Sequence, residues 1–412
     1  MKEYILNLWD KFKKKSIIFK ILMCLILVLY IGVLYVCFAK VNVIADLPGS
    51  ITNVSSVISI DSNNEPGNIY TVSIYSPTKM SVLEYWLSSL DENSSVKKGQ
   101  QIQYDIFTEK EYYNTNVGYK NQSIQDSIIV AYKSAMERSF DVKLEYQYEG
   151  EYLINIPQNL YKTGSEDFKI GDVVTKINDV EITSEEVYYR ELNNIFDSIS
   201  YNDSTIKKLC EQSQSLSPNE YVEKMSAVYS FLNTLEQTIK VVVNRNNKET
   251  ELTPSYKMLF YLYSSLIFKG SNDNYTLYSI GTTRFSKYII DYDKCLPKIN
   301  ISKFTTVGPS GGLLQALAVY NAITPDDITN GLRIMGTGGI DLEGNALTIG
   351  GEQQKVVTAN LYGASVFFVP EENYDSAKEM YDKLDKKYYE LVKVSNFNDV
   401  LKYFEEKVTD NE

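Results

Sequence analysis

Histidine is missing from all 412 residues. Its absence excludes a Ser-His-Asp or Cys-His nucleophile, His-ligated zinc and imidazole acid–base chemistry. Any proton transfer must run through carboxylate, lysine, tyrosine or cysteine. Cysteine is scarce, with four in the chain. Cys24 and Cys37 lie inside an apolar run, Cys210 and Cys295 stand far apart, and no C-x-x-C pair occurs. That pattern supports neither a disulfide framework nor a metal site, and no cofactor is expected. Basic charge is also short: 41 Lys and Arg against 53 Asp and Glu leave a net −12. A phosphate backbone selects for basic faces, so nucleic acid is not an expected partner. These residues contain no G-x-x-x-x-G-K-[ST] loop and therefore no P-loop motor. Gly336-Thr337-Gly338-Gly339 lacks both the G-x-G-x-x-G spacing and a following helix, so it is not a dinucleotide loop.

What is present begins with one long apolar run, Ile21 to Ala39, which carries no charge. As a helix it measures about 28 Å, close to the hydrocarbon thickness of a bilayer. Lys11, Lys13, Lys14, Lys15 and Lys20 precede it, so the positive-inside rule keeps the N-terminus cytoplasmic and sends the rest across the membrane. A cleaved signal peptide is the competing reading. The run is longer than a usual signal core, and only Val43-Ile44-Ala45 resembles a cleavage site. Residues 1–40 are thus expected to be a basic stub and single-pass anchor, contacting lipid through residues 21–39. At about 150 residues per domain, 412 residues suggest two to three domains.

Residues 41–145 read as a membrane-proximal α+β lead-in without chemistry. Alternation from Ile69 to Tyr75 predicts a strand. Ile124, Ile128, Tyr132, Ala135, Met136 and Phe140 share one helical face and predict a helix. In residues 146–255, a strand at Tyr152–Ile156 precedes the loop Thr163–Asp167. Next comes the run Phe168 to Ile182, with Gly171-Asp172 between two apolar pieces and a second turn at Asn178-Asp179. This pattern, closed by Ile239–Asn246, resembles a PDZ domain. The resemblance implies a groove that binds an extended protein or peptide segment by strand addition. About 50 residues separate Ser184 from Thr238, read as a helical insertion over about 185–238.

The stretch that carries chemistry is Val307-Gly308-Pro309-Ser310-Gly311-Gly312 followed by an apolar helix to about Ile323. A serine in a Gly/Pro turn at a helix start exposes its hydroxyl beside free backbone N–H groups and the positive helix end. Donors so arranged suit a developing oxyanion. Thr324-Pro325-Asp326-Asp327 predicts the cap and first turn of a short helix ending near Gly331. Gly336–Ile340 follows, then a hairpin from Asp341 to Ile349 turning at Glu343-Gly344-Asn345. Gly350–Lys355 opens a second helix, and Ser365–Pro370 predicts a strand.

Taken in order, G-P-S-G-G at Gly308–Gly312, G-T-G-G-I at Gly336–Ile340, I-G-G-x-x-x-K at Ile349–Lys355 and the strand ending Val369-Pro370 resemble the proteolytic domain of the Lon family. The resemblance is nearer to its membrane-anchored bacterial branch with a PDZ module. It implies an α+β multidomain chain: transmembrane helix, PDZ-like domain with helical insertion, and a Lon-protease-like domain over residues 256–412. It also implies that Ser310 is the nucleophile and Lys355 the general base, with Thr337 orienting the amine and Gly311 contributing to the oxyanion site. A lysine acts as a base only when neutral, which requires a desolvated site.

This sequence departs from the family pattern in two places. Gly311 replaces the usual Ala after the serine, and Val307 stands where many cytosolic relatives carry an acid. The expectation is a membrane-tethered, ATP-independent Ser-Lys endopeptidase acting on extracytoplasmic proteins. The alternative is a catalytically silent, anchored peptide-binding scaffold. Lon-type domains often form rings, so a homo-oligomer is compatible with the resemblance, although no motif here specifies one.

Overall fold

The structure is a computed structural model. It describes residues 12–60, 68–99, 109–155, 168–201, 204–205, 227–228, 230–236, 239–256, 259, 262, 267–269, 277–279, 283–301 and 308–409. Val307, the loop Thr163–Asp167 and the middle of the expected insertion (206–226) lie outside the described residues.

The chain begins with α1 (Ile17–Phe38), then β1 (Lys40–Asn53), β2 (Ile69–Tyr75), β3 (Lys79–Ser81), α2 (Val82–Leu90), β4 (Ser95–Lys98) and α3 (Glu109–Glu137). A middle stretch holds β5 (Tyr146–Asn155), β6 (Val173–Ile177), β7 (Val180–Glu181), α4 (Glu185–Asp197), β8 (Val241–Arg245), β9 (Lys248–Leu252) and β10 (Thr283–Ile290). The last stretch contains α5 (Gly312–Ile323), β11 (Ile334–Gly336), β12 (Gly339–Ile340), β13 (Ala346–Leu347), α6 (Glu352–Leu361), β14 (Val366–Pro370), α7 (Glu371–Lys383), β15 (Glu390–Val394) and α8 (Phe397–Thr409).

Helix α1 is apolar apart from Lys20 near its start and none of its residues is buried, so it is long and apolar enough to cross a membrane. A signal sequence would have the same character.

Two sheets organise the rest. The larger runs β15–β14–β11–β2–β1–β3, with β4 also paired to β1. Its centre is parallel: β11 pairs parallel with both β14 and β2, and β14 with β15. Strand β14, Val-Phe-Phe-Val-Pro, is buried at every position, as a parallel strand covered on both faces requires. Phe367 and Phe368 point to opposite faces. Phe368 lies in one core with Ile128 of α3, Leu313 and Leu317 of α5 and Leu401 of α8. Phe367 meets α6 and α7 through Val356, Ala377 and Met380.

The expected lead-in is therefore not a separate unit. Strands β1 and β2 complete the same sheet as β11 and β14, and α3 packs on α5 in one core. Strand periodicity shows which face is buried but not which neighbour a strand pairs with. This is why residues 41–145 looked self-contained.

The second sheet is antiparallel, in the order β9–β8–β6–β5–β10, with β7 on β6. Its core joins Leu153, Phe168, Val174, Val241 and Val243 to Tyr188 and Leu192 of α4. Strand β10 belongs to this sheet and not to the C-terminal segment expected to begin at 256. The second body is thus inserted between the two halves of the first. Its ends meet, with Tyr146 opposite Ile290 and a bridge from Lys143 to Leu296 just beyond.

Strand addition needs an unpaired edge. Strand β5 is paired on both sides, to β6 and β10. The outer edge of β10 is met by Gln125 of α3, which accepts from Tyr288 N (2.8 Å) and donates to Ser286 O (3.0 Å).

The short helix expected after Thr324 does not form. Asp327 instead accepts from Thr329 N, Thr329 Oγ1 and Asn321 Nδ2, and this side-chain turn competes with the helix for the backbone. The hairpin at Asp341–Ile349 forms as expected: β12 pairs β13, Asp341 accepts from Glu343 N and Asn345 N, and Gly344 takes a positive φ of 85°.

Candidate active site

Three segments of the larger sheet's domain converge around Ser310. The first is its own turn. Gly308 adopts φ +93°, a region favoured by glycine, and the chain then enters α5, whose first residue is Gly312. The Ser310 carbonyl accepts from Gly338 N at 2.8 Å and from Thr337 Oγ1 at 3.1 Å. The preceding carbonyl, of Pro309, accepts from Gly312 N (3.1 Å) and from Ser123 Oγ (2.9 Å). Two successive carbonyls are thus fixed by groups from three elements, which sets the orientation of the serine between them. Ser310 itself is half-buried. The N–H groups of Ser310 and Gly311 make no hydrogen bond to another described residue.

The second segment is α3. It approaches the turn so closely that a Cβ on Gly312 would lie 2.3 Å from Ser123 Oγ. One helical turn on, Ser127 Oγ lies 2.9 Å from the Gly312 carbonyl. Ser123 and Ser127 did not stand out in the sequence. Their only signal is a pair of small hydroxyls four apart beside the apolar stripe, a spacing that places them on one face.

The third segment is α6 with Lys355. Gly351 caps the helix at φ +70°, and a Cβ there would meet Ile74 at 2.7 Å, so glycine lets α6 settle on β2. Lys355 is buried, 3% exposed, one turn into the helix. Its Nζ donates to Thr337 Oγ1 at 3.1 Å, and Thr337 is fully buried with its N–H on the Phe368 carbonyl. Burial pushes the Lys355 amine down to about 8, while the carboxylates of Glu352 and Asp46 act in the opposite direction. Lys355 forms no ion pair among the described residues.

Ser310, Gly311, Thr337 and Lys355 therefore gather at one place. Lys355 Nζ reaches Thr337 Oγ1, which reaches the Ser310 carbonyl. No direct hydrogen bond joins Ser310 Oγ to Lys355 Nζ among the described residues. Beside Pro309 lies a cavity of about 520 Å3, lined by Tyr119, Ser123, Arg284, Ile340 and Leu347 among others.

Residues 294–406 match the Lon protease (S16) C-terminal proteolytic domain, the domain of a serine peptidase. The chain is 36% identical over 110 residues to the Lon protease of Aster yellows witches'-broom phytoplasma, a match covering 27% of this chain and 13% of that protein. It is 29% identical over 129 residues to the Lon protease of Mycoplasma mobile, covering 30% and 15%. It is 34% identical over 105 residues to that of Porphyromonas gingivalis, covering 25% and 12%. The chain thus spans less than a sixth of the length of these relatives. The matched region holds Ser310, Thr337 and Lys355 but not β1, β2 or α3.

Proposed function

We propose that this chain is a membrane-tethered endopeptidase that hydrolyses peptide bonds through Ser310, with Lys355 as general base. The observation that carries the reading is a buried lysine, depressed to about 8 and free of ion pairs, hydrogen-bonded to the threonine that holds the Ser310 carbonyl. The Lys355 amine donates one hydrogen to Thr337, which leaves its lone pair for the Ser310 proton when the amine is neutral. The hydroxyl oxygen attacks the substrate carbonyl, the amine takes the proton, and the N–H groups of Ser310 and Gly311 receive the oxyanion. Collapse expels the amine half of the substrate, which regains the proton from Lys355 and leaves an acyl-enzyme for water. The cavity beside Pro309 would hold the substrate segment next to the bond cut.

The basic stub before α1 favours an extracytoplasmic catalytic body, and the lack of a P-loop in these residues favours ATP-independent cleavage of loose or unfolded chains. The PDZ-like body would recruit such segments. An extended ligand there would pair with the free edge of β9 or displace β10 from β5. The missing direct contact between Ser310 Oγ and Lys355 Nζ is what favours the silent-scaffold alternative. The test is cleavage of an unstructured protein by the wild-type chain and by Ser310→Ala, with ATP absent. Loss of cleavage in the variant, with folding intact, supports the peptidase. A wild-type chain inert against a broad panel supports the scaffold.

A further inference from the structure

Helix α2 lies where α1 ends. Val82 N, at its first turn, donates to the carbonyl of Ala39, the C-cap of α1, at 3.0 Å. Strand β3, just before it, pairs with Lys40–Asn42, the first residues after α1, and α1 and α2 pack against each other. A nine-residue helix is about 13 Å long, roughly two headgroup layers, so with its first turn held at the end of α1 it stays in the boundary when it lies along the membrane plane.

Its surface is unusual for a water-facing helix. Trp86, Leu87 and Leu90 are each more than half exposed and fall within about 100° on the helical wheel. Ile44 on the neighbouring β1 is half exposed as well. Lys79, Lys97 and Lys98 are exposed on the strands next to α2, Lys97 paired with Ile44 and Lys98 with Val43 across β1 and β4. The acid within α2, Glu84, is turned to the cap: it accepts from Ser81 N at 2.6 Å and pairs with Lys40.

We infer that α2 is a second membrane contact: an interfacial helix that lays Trp86, Leu87 and Leu90 into the lipid headgroup boundary, with the surrounding lysines on anionic headgroups. This inference rests on α1 being a retained anchor. An exposed apolar helical face, with tryptophan at headgroup depth and exposed lysines on the adjoining strands, fits that environment. Two attachment points hold the body at one angle to the bilayer, where a single tether would let it swivel.

Trp9 and Trp86 are the two tryptophans of the chain, so Trp9→Phe leaves Trp86 as sole reporter. The full chain carrying that change is reconstituted into phosphatidylcholine–phosphatidylglycerol vesicles, floated after a carbonate wash, and exposed to brominated lipid or aqueous iodide. Trp86 emission is expected to fall by at least half with brominated lipid and to resist iodide. Adding Leu87→Gln and Leu90→Gln, both at exposed positions, should reduce the lipid quenching at least twofold. A chain that fails to float overturns the anchor and this surface with it. A floating chain quenched by iodide and not by brominated lipid overturns the surface alone. So does one shielded from both quenchers, which indicates a second copy of the chain on that face.

Discussion

Lys355 links the chemistry of the site to its stability. Its amine is depressed to about 8 by burial, against about 10.5 in an unfolded chain. A base works only in its neutral form, so kcat/KM should rise with pH and level off near 8; a profile flat from pH 6 to 9 would remove Lys355 as the base. The sign for stability follows from the same depression. Below 8 both states carry the proton and the folded state bears the full cost of a buried charge. Between 8 and 10.5 only the unfolded chain stays protonated, so stability rises with pH there. Lys355→Met should then abolish cleavage and stabilise the fold at neutral pH by roughly 3 kcal/mol, read from chemical denaturation. Ser123 acts differently, since it holds the Pro309 carbonyl and its hydroxyl takes no part in the proton transfer. Ser123→Ala should lower kcat roughly tenfold or more, by a larger factor than any change in KM and with melting temperature nearly unchanged, because the serine turn loses a fixed orientation. Ser310, Thr337 and Lys355 were legible as spaced motifs. Ser123 was not, because a serine inside an amphipathic helix looks like any solvated hydroxyl until its partner, more than 180 residues away, is known.

At the scale of elements, β10 joins the two bodies. Arg284 on it is nearly buried, pairs with the fully buried Glu151 at 2.6 Å, and stacks on Tyr188 and Tyr189 of α4. Glu151 also accepts from Tyr148 and Ser286 hydroxyls. Removing one charge leaves the other buried and unpaired, so Arg284→Met should destabilise the second body by about 3–5 kcal/mol, seen as an earlier unfolding transition. The elements themselves were largely readable: β2 occupies Ile69–Tyr75 as its alternation predicts, and α5 ends at Ile323. Pairing was not readable. Nothing in the sequence of Thr283–Ile290 says that it returns to Tyr146–Asn155, because a strand's hydrophobic pattern specifies a face and not a partner. The helix after Thr324 was misread because capping residues serve side-chain turns equally well.

For the whole molecule, the catalytic sheet is assembled from two distant stretches, with β1 and β2 from one and β11, β14 and β15 from the other. A fragment starting at residue 256 lacks β2, one of the two strands that pair with β11, and the helix α3 that packs on α5, so it should be insoluble or molten. Circular dichroism and hydrogen exchange would show this against the full chain. The boundary drawn from sequence at 256 followed the motifs, which cluster late, whereas the core they need begins near residue 51. The intervening body leaves and rejoins this core at adjacent points, Tyr146 beside Ile290. Because the ends lie side by side, the loop-closure cost of what is spliced between them grows only slowly with its length. The position is therefore a socket: recombination can exchange the inserted body, lengthen it or strip it back to a loop without rebuilding the sheet around it.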